Sequence, residues 1–484
     1  MRKEQKMVSE SASTKVVGSS VPYPTSGSFA KSLNSETQSA QANSYKLVLE
    51  LLVWISLAAI AWGWTLSSPM KGIASAVVFT CVLSVLVGVR AFIGHGEGTV
   101  TVTGLYGLST SMFVGYSGLI LVNQGNLQFL LKELSLASVL GLTAQIATIA
   151  LAWGKPNRFN HEPFRTSKLG ADWLTRVGLC ALILSILVDI ALPQLGFWAE
   201  SAAFTAISVI AAGLIFRDNV RLISWQIVAI LALVLVYSEF FHSGSGRLRI
   251  VALACAVAVI LTARFPLRRL KVAIVAAIPL AIGWLASMRL ELQESLSTGS
   301  SDGRTGLESM TAPLEVFSLL VKSIMEQRFV PENGYNLLSV IATLIPESMW
   351  PDKPMALGYE LVQFVSPERY GDGLFSTAAT STGEGVFNFG WLGIPIVIIF
   401  AASVLRLLDS AMIKRLRDST PKVLGVLGIV LIAILAGAVA DYTWSGVHTY
   451  FARMIARLPV FVLIVVWARL SVKAVPPIST SNTR

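Results

Sequence analysis

The feature that most constrains this chain is a series of apolar blocks, each nearly free of charge. Roughly 20 consecutive apolar residues, if helical, cross the ~30 Å hydrocarbon core of a bilayer. The blocks are apolar all round rather than striped. They leave no face for water, so lipid or other protein must surround them. Composition agrees: 54% of the chain is hydrophobic, 14% is charged, and mean hydropathy is +0.66. Soluble domains carry about 25% charged residues. The spans read from the blocks are 46–66, 72–94, 101–123, 133–153, 173–192, 198–216, 221–241, 248–263, 270–288, 384–405, 422–441 and 455–470. The expected fold is an all-α polytopic membrane protein of about a dozen spans.

The net charge of +10 would suggest nucleic acid in a soluble protein. Here most Lys and Arg fall in short loops between blocks, and no nucleic-acid motif accompanies them, so they signal topology and phospholipid contact. With the N-terminus inside, the cytoplasmic loops are 154–172, 217–221, 264–271 and 406–422, and they hold most of the basic charge. The opposite short loops carry only Lys71, Lys132, Arg247 and Arg249. This asymmetry predicts that both termini are cytoplasmic. Cys81, Cys180 and Cys255 lie inside spans without ligand spacing and read as small packing residues.

Residues 1–44 are rich in Ser, Thr, Gln and Asn and read as a disordered cytoplasmic tail, without the apolar core of a signal peptide. Spans then occupy 45–288 and 384–472, and a short tail covers 473–484. Between the two groups of spans, 289–383 forms a hydrophilic insert with 12 acidic residues against six Lys and Arg. On this topology it lies outside. Its apolar stretches, Ala312–Met325 and Leu337–Ile345, are punctuated by prolines. They predict an ordered loop of short helices on or in the membrane surface, capping a cavity between spans.

Charged residues on the outer side are the candidate site. Arginines recur there without a topological reason: Arg247 and Arg249 in a Ser-Gly-Ser-Gly-Arg-Leu-Arg turn, Arg304 in the insert, and Arg453 with Arg457 near the last span. Guanidinium holds phosphate through two parallel bonds and keeps its charge, so several around an outward cavity suit a pyrophosphate. The plainer alternative is that each one snorkels to lipid phosphate or pairs with a loop carboxylate. Glu239, His242, Glu384, Asp441 and His448 also lie at or near outer span ends, where ionisable groups are costly and tend to be functional. Arg289 and Lys353, in the insert, join the candidate substrate-binding set. His95 and His161 fall on the cytoplasmic side and are set aside. No phosphate-binding Gly-rich loop, nucleophile elbow, zinc motif or outer Asp-x-Asp pair is present. The chemistry is therefore expected to need neither metal nor any other cofactor.

Two stretches carry a resemblance. Ile345-Pro346-Glu347-Ser348-Met349-Trp350-Pro351-Asp352-Lys353-Pro354 is similar to the P-x-x-x-W-P-x-K-P stretch of Wzy-type oligosaccharide repeat-unit polymerases. Glu384-Gly385-Val386-Phe387-Asn388-Phe389-Gly390 is similar to their E-x-x-x-N-F-G motif, and the Ser-Gly-Ser-Gly-Arg247 turn also resembles theirs. The resemblance implies a metal-independent glycosyltransferase with an architecture like that of O-antigen ligases. Such enzymes join repeat units carried on undecaprenyl pyrophosphate at the outer face of the membrane, extending O-antigen, capsule or exopolysaccharide. It further implies a chain-length-regulating co-polymerase as partner and a flippase as pathway neighbour. In that reading Arg304 and Arg247 neutralise the departing pyrophosphate, Arg249 and Arg453 support them, and Glu384 or His448 activates the acceptor hydroxyl. An O-antigen ligase is the enzyme alternative. A lipid-linked oligosaccharide flippase is the non-enzyme alternative.

Overall fold

The computed structural model describes residues 48–68, 70–124, 128–153, 165–217, 225–241, 247–296, 306–342, 345, 349–371, 376–417 and 422–473. The chain divides into two units, Met1–Val53 and Trp54–Arg484. Of the first, residues 48–53 are described and are helical. The expected 1–44 tail, the basic loop segments 154–164 and 218–224, and residues 474–484 lie outside the described residues.

Every described element is a helix or a turn. The helix α1 (Val48–Ser67) is followed by α2 (Met70–Gly94), α3 (Val102–Thr110), α4 (Ser117–Gln124), α5 (Leu131–Ala152), α6 (Lys168–Ala191) and α7 (Gly196–Ile215). Next come α8 (Trp225–Phe241), α9 (Arg247–Arg264) and α10 (Arg268–Leu296). The insert contributes α11 (Glu308–Met325) and the short α12 (Leu338–Ala342), α13 (Leu357–Glu360) and α14 (Val362–Val365). The chain closes with α15 (Ser381–Phe389), α16 (Gly393–Leu416), α17 (Val423–Gly437), α18 (Val439–Ser445) and α19 (Val447–Lys473).

Among the described residues, nine helical stretches are long and apolar enough to cross a membrane. This is a multi-pass membrane protein. Helices suit that setting because they satisfy their own backbone groups where no water is present. Three expected spans are helical but fall outside the nine. Helix α8 has 17 residues, α9 carries Arg247, Arg249 and Arg264, and the side chains of α10 are described only in part. The expected span 384–405 is part of a longer run, Ser381–Leu416. That run is interrupted at Gly390, whose φ of +59° favours glycine.

Burial separates rim from centre. The apolar window of α1 is 11% buried and that of α7 is 89% buried. The α6–α7 hairpin closes tightly because Gly178 and Gly213 face the neighbouring backbone: a side-chain carbon at either would press on the carbonyl of Ala206 or Ala171. Small residues at a helix contact let backbones approach in lipid, where no hydrophobic force drives the helices together. Helices α2, α3 and α5 are tied by a polar knot instead. The Gln145 amide donates to the carbonyls of Ser84 (3.1 Å) and Gly107 (3.0 Å), and Ser84 Oγ donates to Gln145 Oε1 at 2.7 Å. Just beyond it the ladder widens into a π-turn, Ser111–Tyr116.

The insert differs from the expected surface helices. Helix α11 runs for 18 residues and drives Leu314, Phe317, Leu320 and Val321 into a core shared with α2, α4, α5 and α15. Its start is pinned by Ser117 Oγ donating to Met310 O (2.7 Å) and Trp444 Nε1 donating to Ser309 O (3.1 Å). Its apolar residues recur at helical spacing, so the face that suits a membrane surface equally suits a groove between spans.

Candidate functional site

Three arginines meet two carboxylates at one end of the bundle. On α19, Tyr450, Arg453 and Arg457 follow at i, i+3 and i+7, so they share one helix face. Helix α7 presents Phe197, Glu200 and Phe204 at the same spacing. Helix α9 brings Arg249 in its first turn, α8 brings Tyr237, and α18 brings Asp441.

The contacts are direct. Arg453 Nη1 donates to Asp441 Oδ1, and the Asp441 side chain is wholly buried. Arg249 Nη1 pairs with Glu200 Oε2. Tyr237 OH donates to Glu200 Oε1 at 3.1 Å. Arg457 is 2% exposed. Its guanidinium lies 3.8 Å from the Phe204 ring centroid, a cation–π contact. Thr205 Oγ1 donates to its carbonyl at 3.1 Å, which fixes its height on α7.

The cluster is unbalanced. Arg249, Arg453 and Arg457 face Glu200 and Asp441, so three positive charges meet two negative ones and one is left over. Arg457 Nη1, Arg249 Nε and Asp441 Oδ2 are buried with no hydrogen-bond partner among the described residues. An uncompensated buried cation is costly, and an anion supplying acceptor oxygens would relieve it. Arg249 and Arg453 are the more exposed arginines of the three, with side chains 26% and 14% exposed.

Glu384 and His448 meet beside this cluster. Glu384, buried in the first turn of α15, accepts from Val447 N (2.5 Å) and His448 N (3.2 Å). Its carboxylate therefore caps α19, satisfying amides that have no partner within the helix. His448 is also buried.

The other predicted residues are placed apart. Glu239 is exposed on α8, about 200° around the helix from Tyr237 at 100° per residue. Lys353 Nζ donates to Ile345 O at 3.1 Å. Arg247 opens α9 and Arg289 lies in α10. His242 and Arg304 lie outside the described residues.

Two groups passed over in the sequence matter here. Glu200 is the partner of Arg249, and its signal was available as an acid inside an apolar block. At the opposite end, Asp409 accepts from Val102 N (2.7 Å) and Thr103 N (3.1 Å), capping α3. There the fully buried Lys271 donates to His95 O (2.7 Å) and Thr99 O (3.1 Å). It clamps the turn in which Gly96 and Glu97 take positive φ.

The insert has its own acidic group. Tyr370 OH donates to Glu360 Oε2 at 2.8 Å, and burial, reinforced by that carboxylate, pushes the phenol up to about 12. Burial, with Glu360 nearby, also raises the Glu332 carboxyl above its usual range.

No family model, no curated protein and no solved structure matches the chain.

Proposed function

We propose that this protein is a membrane-embedded glycosyltransferase that joins oligosaccharide repeat units carried on undecaprenyl pyrophosphate. One observation carries the reading: the cationic cluster of Arg249, Arg453 and Arg457, with one charge in excess and an unbonded buried guanidinium nitrogen. Polar groups left in that state suit a ligand with charge and acceptor oxygens, and a pyrophosphate has both. The loop-charge asymmetry puts this end on the outer face with the insert, in a chain of about twelve spans. The resemblance of the Trp350 and Glu384 stretches to Wzy-type polymerases supports the same class.

In this mechanism the acceptor hydroxyl oxygen attacks the anomeric carbon of the donor sugar. The bond from that carbon to the pyrophosphate oxygen breaks, and its electron pair leaves with the lipid pyrophosphate. The hydroxyl proton passes to a base or to the departing phosphate oxygen. Negative charge grows on the leaving group, so cations placed there favour the transition state over the ground state. Arg453 and Arg249 meet the phosphates, and Arg457 supplies the field from below. Arg247 and Arg304 add to the positive charge that neutralises the departing pyrophosphate. His448 stands next to the acceptor.

The test is polymerisation of lipid-linked repeat units by purified protein in liposomes. Arg453→Ala and Arg249→Ala should each slow chain growth by about 10²-fold, typical of losing one donor to a developing anion. Unchanged growth in both would sink the reading. A ladder of lengths marks a polymerase. A single transfer to lipid A core marks a ligase, and lipid translocation without any new bond marks a flippase.

A further inference from the structure

The E-x-x-x-N-F-G stretch reads in sequence as a place for a general base. Its contacts point elsewhere. Both oxygens of Glu384 are engaged by the first two amides of α19. Asn388 Nδ2 donates back to Glu384 O at 3.0 Å. The carbonyls of the same turn reach into the insert: Gly334 N donates to Asn388 O (3.1 Å) and Glu332 N to Phe387 O (3.3 Å). The Phe387 ring stacks on Phe329 with centroids 4.9 Å apart. Phe389 packs against Gly334, which has φ +84°. Three bodies therefore meet at α15: the insert, α15 itself and α19.

Gly446 completes the joint. It sits between α18 and α19 at φ +85° and ψ −159°, a region that essentially only glycine occupies. A side chain there would also run into the Glu384 carboxylate. The backbone turn and the carboxylate are thus fitted to one another. Beyond that turn, α19 carries Arg453 and Arg457 on one face.

We infer that Glu384 is a positioning residue, which sets the height and rotation of α19 so that Arg453 and Arg457 converge on their anion, and that the Glu384–Gly390 stretch couples this setting to the insert. The inference rests on the reading that these arginines take the anion. It separates Glu384 from proton transfer. A carboxylate held by two backbone amides and fully enclosed is poorly placed to receive a proton from a sugar hydroxyl. A displacement of about 1 Å in a helix bearing two charge-binding groups is enough to cost on the order of 10²-fold in function.

The experiment uses full-length protein in detergent, with inorganic pyrophosphate as the probe and binding read as a shift in thermal unfolding. Turnover against pH is measured on lipid-linked repeat units. Glu384→Gln keeps one acceptor oxygen, and Gly446→Ala leaves the carboxylate chemically intact. Both should weaken pyrophosphate binding by about 10-fold or more, while turnover keeps the pH profile of the unaltered protein. Glu384→Asp, which keeps the charge on a shorter arm, should lose less. Arg453→Ala is the reference. If it weakens binding while Glu384→Gln and Gly446→Ala do not, the positioning role is overturned and the anion site stands. Loss of one limb of the pH profile in Glu384→Gln, with binding intact, likewise overturns it in favour of a general base. If Arg453→Ala itself binds pyrophosphate normally, the anion reading falls and the inference falls with it.

Discussion

Asp441 and Arg457 show how little a residue's type says about its work here. Asp441 could be taken as a substrate contact, yet its Oδ1 already receives Arg453 and it is wholly enclosed. It is a resident anion in a site short of one. Asp441→Asn should therefore raise the excess from one positive charge to two. Pyrophosphate binding should tighten and depend more steeply on salt, as titrations at two ionic strengths would show. The penalty is an Arg453 without a partner, visible as a lower unfolding temperature in the absence of ligand. Glu332 allows a test of sign in the insert. Its pKa is raised, so the folded insert favours the protonated acid. That contribution is full below the ordinary Glu value and is lost as pH rises through the raised one. Glu332→Gln should accordingly raise the unfolding temperature at neutral pH and leave it unchanged near pH 4. Equal temperatures at both pH values would contradict the assignment.

At the scale of elements, this bundle is held by polar ties as much as by apolar contact. Lipid tails are as apolar as the side chains they meet, so burial alone does not order spans against one another. Gln145 joins α2, α3 and α5 through the backbone carbonyls of Ser84 and Gly107. Gln145→Leu should cost about 1–2 kcal/mol, given roughly 0.6 kcal/mol for an average tie between spans. Reversible unfolding in mixed micelles would measure it. Lys271 performs the same service for the α2–α3 turn. Removing its ammonium by Lys271→Met strands two carbonyls, and about 1–3 kcal/mol should go with them. Nine of the expected spans were legible from their apolar blocks. Their partners were not, because a block apolar all round carries no mark of which side meets protein. Hence α1 and α7 read alike, although one window is 11% buried and the other 89%.

For the whole molecule, antiparallel passage of the helices sorts the charges by end. Arg249, Glu200, Tyr237, Asp441, Arg453 and Glu384 gather at one end; His95, Thr262, Lys271 and Asp409 gather at the other. The topology proposed from the loop charges would put the first group on the outer face. Met349, on the insert, is 77% exposed. With the exposed Cys180 replaced by Ala, Met349→Cys should react with a membrane-impermeant thiol reagent added to intact cells. Labelling only after permeabilisation would reverse the topology.

By itself the sequence determined that the chain is helical, that it crosses a membrane many times, and that basic charge is shared unequally between its loops. Each of these follows from local composition, because hydrocarbon admits few alternatives to an apolar helix. It also singled out Arg249, Arg453 and Asp441, since charge near a span is conspicuous. Tertiary structure alone decided that Arg249 meets Glu200, on a helix about 50 residues before it, and that Arg453 meets Asp441. It decided that Glu384 is occupied by α19 and that α11 is packed into the bundle. Pairing between distant helices depends on their order and rotation in the bundle, and no local pattern of residues encodes either.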